Sequence, residues 1–312
     1  MVDRNRRAGY IIVILPLNQV KVAMEFRGVY TALVTPFSKG AVDYVRLEKL
    51  VESQIAGGVD GIIPVGTTGE SPTLSVEEHL KVIEVVIKKA AKRCVIVAGT
   101  GANSTSEAIE LTMAAKALGA DATLQVTPYY NKPTQEGIYR HFSAVADTAG
   151  LPVFLYNVPG RSGVAITPET VARLSKNANI VALKEAGGSV DRVSQVRDAC
   201  DITIFSGDDS LTLPMMSVGA VGIVSVASNI IPKELKQMVD AAAAGKLEQA
   251  RQLHQKYYPL FRDLFIEANP IPVKTAMAMM GLLEEEFRLP LCPISDANRV
   301  KLRATLEKCG LL

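Results

Sequence analysis

From Gly28 to Gly245 the chain repeats one pattern: a short apolar run, a turn rich in Gly, Thr, Pro or Tyr, then a segment of helical period. The apolar runs fall at 29–34, 61–65, 95–98, 122–126, 153–156, 180–183, 202–205 and 222–226. They are nearly continuous in apolar residues, and no two-residue hairpin turn joins one to the next. Parallel strands covered on both faces have that composition. Helix-period segments follow at 42–57, 75–92, 104–118, 135–148, 167–175, 191–199 and 232–245. Ser75 with Glu78, and Thr167 ahead of Pro168 and Thr170, have the form of helix starts. Eight such units in a row predict an α/β fold of the (β/α)8 TIM-barrel type. A doubly wound open sheet is the second option, but no GxGxxG follows the first strand, so a dinucleotide site has no support.

The barrel is expected over residues 24–245. Residues 246–312 are expected to form a C-terminal helical appendage, with helices at 247–267, 271–283 and 295–309. Two proline-bearing breaks, Asn269-Pro270-Ile271-Pro272 and Leu289-Pro290-Leu291-Cys292-Pro293, separate them. Residues 1–23 are expected to be a disordered N-terminal extension. Arg4, Arg6 and Arg7 before an apolar run imitate a signal peptide, but the run is short, holds Pro16 and lacks a small-x-small cleavage site.

Composition removes several function classes. A net charge of +2 with no basic stripe argues against a nucleic-acid partner. No apolar stretch reaches the ~20 residues of a membrane span. Cys94, Cys200, Cys292 and Cys309 are scattered without CxxC spacing, which suits a reducing cytoplasm and neither a disulfide frame nor a zinc site. The three histidines, His79, His141 and His254, lack metal-ligand spacing, so no metal is expected.

In such a barrel the working residues stand at the C-terminal ends of the strands. Those ends carry Gly66-Thr67-Thr68-Gly69-Glu70-Ser71, Tyr129-Tyr130-Asn131, Tyr156-Asn157, Lys184-Glu185, Ser206-Gly207-Asp208-Asp209 and Ser225. Lys184 ends the apolar run 180–183. A buried ammonium is costly and tends toward the neutral amine, which can attack a carbonyl and form a Schiff base. A strand-end lysine reaching back to water is the competing explanation. Alternation puts Lys184 on one face with Ala182 and Ile180, opposite Leu183 and Glu185. The Gly66–Gly69 turn could cradle a carboxylate or a phosphate, or be an ordinary strand-to-helix turn. Tyr156 could exchange protons with an imine or be core. Tandem Tyr129-Tyr130 suits packing or an interface. Arg161, in a turn-rich loop, is either surface or a clamp for a substrate carboxylate.

Together these residues resemble the dihydrodipicolinate synthase family, also called the 4-hydroxy-tetrahydrodipicolinate synthase family. The resemblance spans about Phe26 to Leu312 and rests on GTTGES at 66–71, AGTGAN at 98–103, TPYYNKPTQEG at 127–137, YNVPGRSG at 156–163, KEA at 184–186, SGDD at 206–209 and NPIPVK at 269–274. It implies that Lys184 forms the Schiff base with pyruvate and that Tyr156 relays protons there with Thr67 and Tyr130. The last of these would reach into a neighbouring subunit's site. It further implies that Thr68 holds the pyruvate carboxylate, that Gly207 and Val224 line the pyruvate pocket, and that Arg161 receives the carboxylate of L-aspartate 4-semialdehyde. The implied protein is a cytoplasmic homotetramer, a dimer of dimers, working in lysine and diaminopimelate biosynthesis without a cofactor. His79, Asn103, Glu107 and Tyr129 match a lysine-feedback cleft, although Val76 stands where the family often has a polar or aromatic residue. Gly160 and Ser162 also depart from the Ser and Thr common beside the arginine. N-acetylneuraminate lyases and 2-keto-3-deoxy-sugar-acid aldolases share the barrel, lysine and tyrosine and are the alternative enzymes; a non-catalytic keto-acid-binding barrel is the alternative outside catalysis.

Overall fold

The eight apolar runs close on one another. The computed structural model describes residues 10–12 and 22–312; the rest of the expected 1–23 extension lies outside the described residues. The barrel strands are β1 (Gly28–Ala32), β2 (Gly61–Ile63), β3 (Val95–Gly99), β4 (Ala122–Val126), β5 (Val153–Asn157), β6 (Ile180–Glu185), β7 (Thr203–Ser206) and β8 (Gly222–Ser225). Each pairs in parallel with the next and β8 pairs with β1, so the sheet is a closed barrel. The predicted (β/α)8 barrel with added C-terminal helices is therefore the fold. Before it, Tyr10–Ile12 pairs antiparallel with Val22–Met24.

The helices are α1 (Tyr44–Gly57), α2 (Val76–Ala90), α3 (Thr105–Leu118), α4 (Gln135–Ala149), α5 (Pro159–Ser162), α6 (Pro168–Leu174), α7 (Val190–Ala199), α8 (Thr212–Ser217), α9 (Pro232–Ala243), α10 (Leu247–Asp263), α11 (Ile271–Met279) and α12 (Asp296–Lys308). Ser75 and Glu78 form a reciprocal capping box at α2, and the Thr167 hydroxyl accepts from the Thr170 N–H at α6, as the sequence predicts. Two short helices have no counterpart in the sequence reading. α5 is a single turn begun by Pro159, and α8 fills the seventh unit, where helical period is too brief to register.

Alternation along β6 is broken. The register against β5 shifts between Ile180 and Ala182, so Ile180 joins the outer apolar layer with Leu183. Ala182 faces inward, in the cluster that holds Tyr30, Phe154, Tyr156, Phe205 and Val224. Ile180 is thus not on the face of Lys184, contrary to the strict two-residue period.

Rings fill the lower barrel. Phe154 and Phe205 stack at 5.5 Å, Tyr30 meets Phe205 edge-on at 5.2 Å, and Phe26 meets Phe154 edge-on at 4.9 Å. The Tyr30 ring occupies the space over Gly61, where a Cβ would come within 2.2 Å of it, so glycine at the start of β2 is what admits the ring. Outside the barrel, side chains of α10, α11 and α12 share one apolar cluster with β1, α1, α2 and α9. That sharing sets the segment before α11 against the barrel's upper rim.

Candidate active site

Lys184 stands on β6 directly beside Tyr156 of β5 and Phe205 of β7 in the ladders. Both Lys184 and Tyr156 are only 6% exposed, and the lysine Nζ lies 4.1 Å from the tyrosine ring centroid. Neighbouring parallel strands thus bring an amine and a phenol together above the aromatic floor. Gly207 closes one side of the lysine stem. A Cβ there would meet the Ala186 Cβ at 2.5 Å and the Lys184 Cε at 3.1 Å. Val224 is fully buried in the interior and pairs in register with Tyr30.

The two aspartates after Gly207 do different work. Asp208 lies within electrostatic reach of Lys184. Burial pushes its carboxyl above the usual range, with Lys184 opposing the shift, and its Oδ2 is buried without a hydrogen-bond partner. Asp209 is a brace: its carboxylate accepts from the Ser225 hydroxyl and from the N–H groups of Val226 and Ala227, both at 3.1 Å. Burial pushes its pKa up to about 6. Glu185 is also structural. Its two oxygens accept from Asn157 Nδ2 at 2.9 Å each, and Arg192 lies 3.7 Å away. Together these contacts fix the tops of β5, β6, β7 and β8 around Lys184.

Opposite them, the GTTGES loop coils into two short 3-10 turns, Thr67–Gly69 and Ser71–Thr73. Thr68 is buried and Thr67 half-buried. The Thr35 hydroxyl donates to the Gly69 carbonyl at 2.7 Å, which ties the loop to the end of β1. Glu70 is wholly buried and ion-paired with the equally buried Lys274 of α11, whose ammonium also lies 4.2 Å from the Phe37 ring centroid. Burial lowers the pKa of Lys274, and the Glu70 charge opposes that.

Asn269, which precedes α11, bridges the two sides. Its Nδ2 donates to Thr68 Oγ1 at 3.0 Å, and its backbone carbonyl accepts from Arg161 Nη2 at 3.0 Å. Arg161 lies on α5 and is exposed. Tyr130, by contrast, is not drawn into the mouth by its own chain. It is 90% exposed and sits in the left-handed region, with φ 70°.

Three of the four residues matched to a feedback cleft gather. Asn103 Nδ2 donates to the Tyr129 carbonyl at 3.2 Å, and the Glu107 charge adds to burial in raising the Tyr129 phenol. His79 is buried on α2 with Nε2 held 2.9 Å from the Gly99 carbonyl, and burial lowers its pKa.

Asn269 and Asp208 stand at the candidate site although the sequence assigns neither of them a role. Each lies inside a motif already singled out, NPIPVK and SGDD. Their buried, unpartnered oxygens become visible only in three dimensions.

A model of the dihydrodipicolinate synthetase family matches residues 25–309. The 4-hydroxy-tetrahydrodipicolinate synthase of Geotalea uraniireducens is 56% identical over 289 residues, covering 92% of this chain and all of that one. The structure of the 4-hydroxy-tetrahydrodipicolinate synthase from Methylacidiphilum fumariolicum SolV superposes with a TM-score of 0.91 at 55% identity, over 92% of this chain and 96% of the other. The chloride-inhibited dihydrodipicolinate synthase from Acinetobacter baumannii complexed with pyruvate gives 0.90 at 49% identity, over 92% and 99%. Among the described residues no helix is long and apolar enough to cross a membrane.

Proposed function

The chain belongs to the dihydrodipicolinate synthetase family, and we propose on that premise how it acts as a 4-hydroxy-tetrahydrodipicolinate synthase, joining pyruvate to L-aspartate 4-semialdehyde. The observation that carries the reading is the pairing of Lys184 and Tyr156 across β5 and β6 at the barrel mouth. The Lys184 amine adds to the pyruvate ketone, and water leaves as the imine forms. Tyr156 passes the protons that addition and water loss require, with Thr67 and the Tyr130 of a neighbouring subunit completing the relay. Tyr156 then takes a proton from the pyruvate methyl carbon, giving an enamine; that carbon attacks the aldehyde to form the new carbon–carbon bond, and the aldehyde oxygen takes the proton back through the same relay. The amine of the aldehyde substrate finally attacks the imine carbon, closing the ring and releasing Lys184.

Thr68 holds the pyruvate carboxylate, Gly207 and Val224 shape the space for its methyl end, and Arg161 at the rim receives the second carboxylate. The exposure of Tyr130 supports a dimer as the least active unit, within a homotetramer. A cytoplasmic location suits the four free cysteines, and the Asn103–Tyr129 hydrogen bond together with the nearby Glu107 charge supports a lysine-feedback cleft. Borohydride trapping with pyruvate, followed by peptide mass mapping, tests the scheme. The expected adduct falls on Lys184, disappears in Lys184→Ala, and accompanies turnover in a reductase-coupled assay. Turnover by Lys184→Ala at the wild-type rate would overturn it.

A further inference from the structure

Thr68 can hold a carboxylate only by donating to it, because an ionised carboxylate accepts hydrogen bonds and offers none. A threonine hydroxyl has one proton and two lone pairs, so the neighbour that meets it decides where that proton points. Here the neighbour is Asn269, whose Nδ2 donates to Thr68 Oγ1 at 3.0 Å. That contact fills a lone pair and leaves the proton free for the substrate. Asn269 is 6% exposed, and its Oδ1 is buried with no partner. An asparagine placed for packing alone would seldom leave a buried carbonyl open.

The placement is rigid at both ends. Glu70, next but one to Thr68, is locked to Lys274, in the first turn of the helix that begins two residues after Asn269. The loop that carries the hydroxyl and the segment that carries the amide are therefore pinned to each other through a fully buried ion pair. The backbone carbonyl of the same Asn269 holds Arg161 at 3.0 Å.

We propose that Asn269 is a positioning residue that fixes Thr68 as a donor to the pyruvate carboxylate, and that its side chain sets the affinity for pyruvate while its backbone seats Arg161. The proposal rests on the synthase reading above. It separates the two substrates: altering the side chain disturbs the pyruvate end, whereas the carbonyl that seats Arg161 is common to every residue at this position.

The test is steady-state kinetics of the full chain, with pyruvate and the amino aldehyde varied in turn. Asn269→Asp keeps the shape but only accepts, so it takes the Thr68 proton and sets a charge near the substrate carboxylate. Its KM for pyruvate should rise roughly 10- to 100-fold, with kcat and the KM for the aldehyde changing by about twofold or less. Asn269→Ala should raise the pyruvate KM less, and should have no further effect when added to Thr68→Val. An unchanged pyruvate KM in Asn269→Asp would overturn the proposal, as would equal losses for both substrates. If Asn269→Asp does not melt cooperatively, the cycle with Thr68→Val decides: non-additive effects support the proposal and additive effects overturn it. A wild-type chain without turnover or a trapped adduct would instead remove the synthase reading itself.

Discussion

Gly207 shows how little space surrounds the reactive amine. A methyl group there would overlap the Ala186 side chain and press on the Lys184 stem, against a backbone already joined to the Glu185 carbonyl at 2.7 Å. Gly207→Ala should therefore cost about 1–3 kcal/mol of stability. It should also slow adduct formation with pyruvate by about tenfold or more, since small displacements of a nucleophile are expensive. Rapid borohydride quenching of variant and parent checks this, and equal rates would show that the stem has room to move. Lys184 stood out in the sequence less for ending an apolar run, where a lysine reaching back to water is common, than for the motifs that surround it at the other strand ends. Asn269 did not, because its meaning comes from a partner 201 positions away in the chain. Asp208 was named at a strand end without a role, because its buried, unpartnered Oδ2 exists only once the strand tops assemble.

Short elements do more of the positioning than their length suggests. The first turn of α2 is held through Glu78, which accepts from the Ser75 N–H at 3.0 Å and from both terminal nitrogens of Arg288 at 2.6 Å. Arg288 also donates to the carbonyls of Thr73 and Gly40 at 2.9 Å, and so straps the far side of the GTTGES loop. The Arg288 hydrogen bonds hold the Glu78 carboxyl well below its ordinary value, at about 2. A depressed carboxyl stabilises the fold fully above the ordinary pKa near 4.5 and ceases to do so as pH falls through about 2. Glu78→Gln should accordingly lower the melting temperature at pH 7, by the equivalent of roughly 1–2 kcal/mol. The gap from wild type should close toward pH 2, and a gap constant from pH 7 to pH 2 would contradict the assignment. The Ser75–Glu78 start was readable from spacing, and the eight strands from apolar runs. The single-turn α5 beneath Arg161 and the register shift in β6 were not. A four-residue helix leaves no period to detect, and the shift arises only when β6 is fitted against β5.

At the scale of the molecule, one chain folds a site whose proposed relay is incomplete. Tyr130 is 90% exposed, with its backbone in the left-handed region. Tyr130→Phe should lower kcat by about 10- to 100-fold while pyruvate trapping on Lys184 persists. Specific activity should also fall on dilution as subunits separate, which light scattering beside the coupled assay would follow. A fully active monomer would refute the shared site. The barrel was legible because its repeat is local in sequence, whereas the proposed completion of the site by Tyr130 would depend on contacts between copies. The aromatic floor reaches further than packing. Phe154 and Phe205 are fully buried and Tyr30 nearly so, and burial drives the Tyr30 phenol above its ordinary value. A vessel stopped at its base has a single doorway, and everything in transit must share it. If the proposed scheme holds, the keto acid would be seated before the aldehyde lies above it, and the ring-closed product would depart before the next keto acid descends. On the proposed chemistry, that order of traffic would follow from the rings of Tyr30, Phe154 and Phe205 that fill the barrel below Lys184.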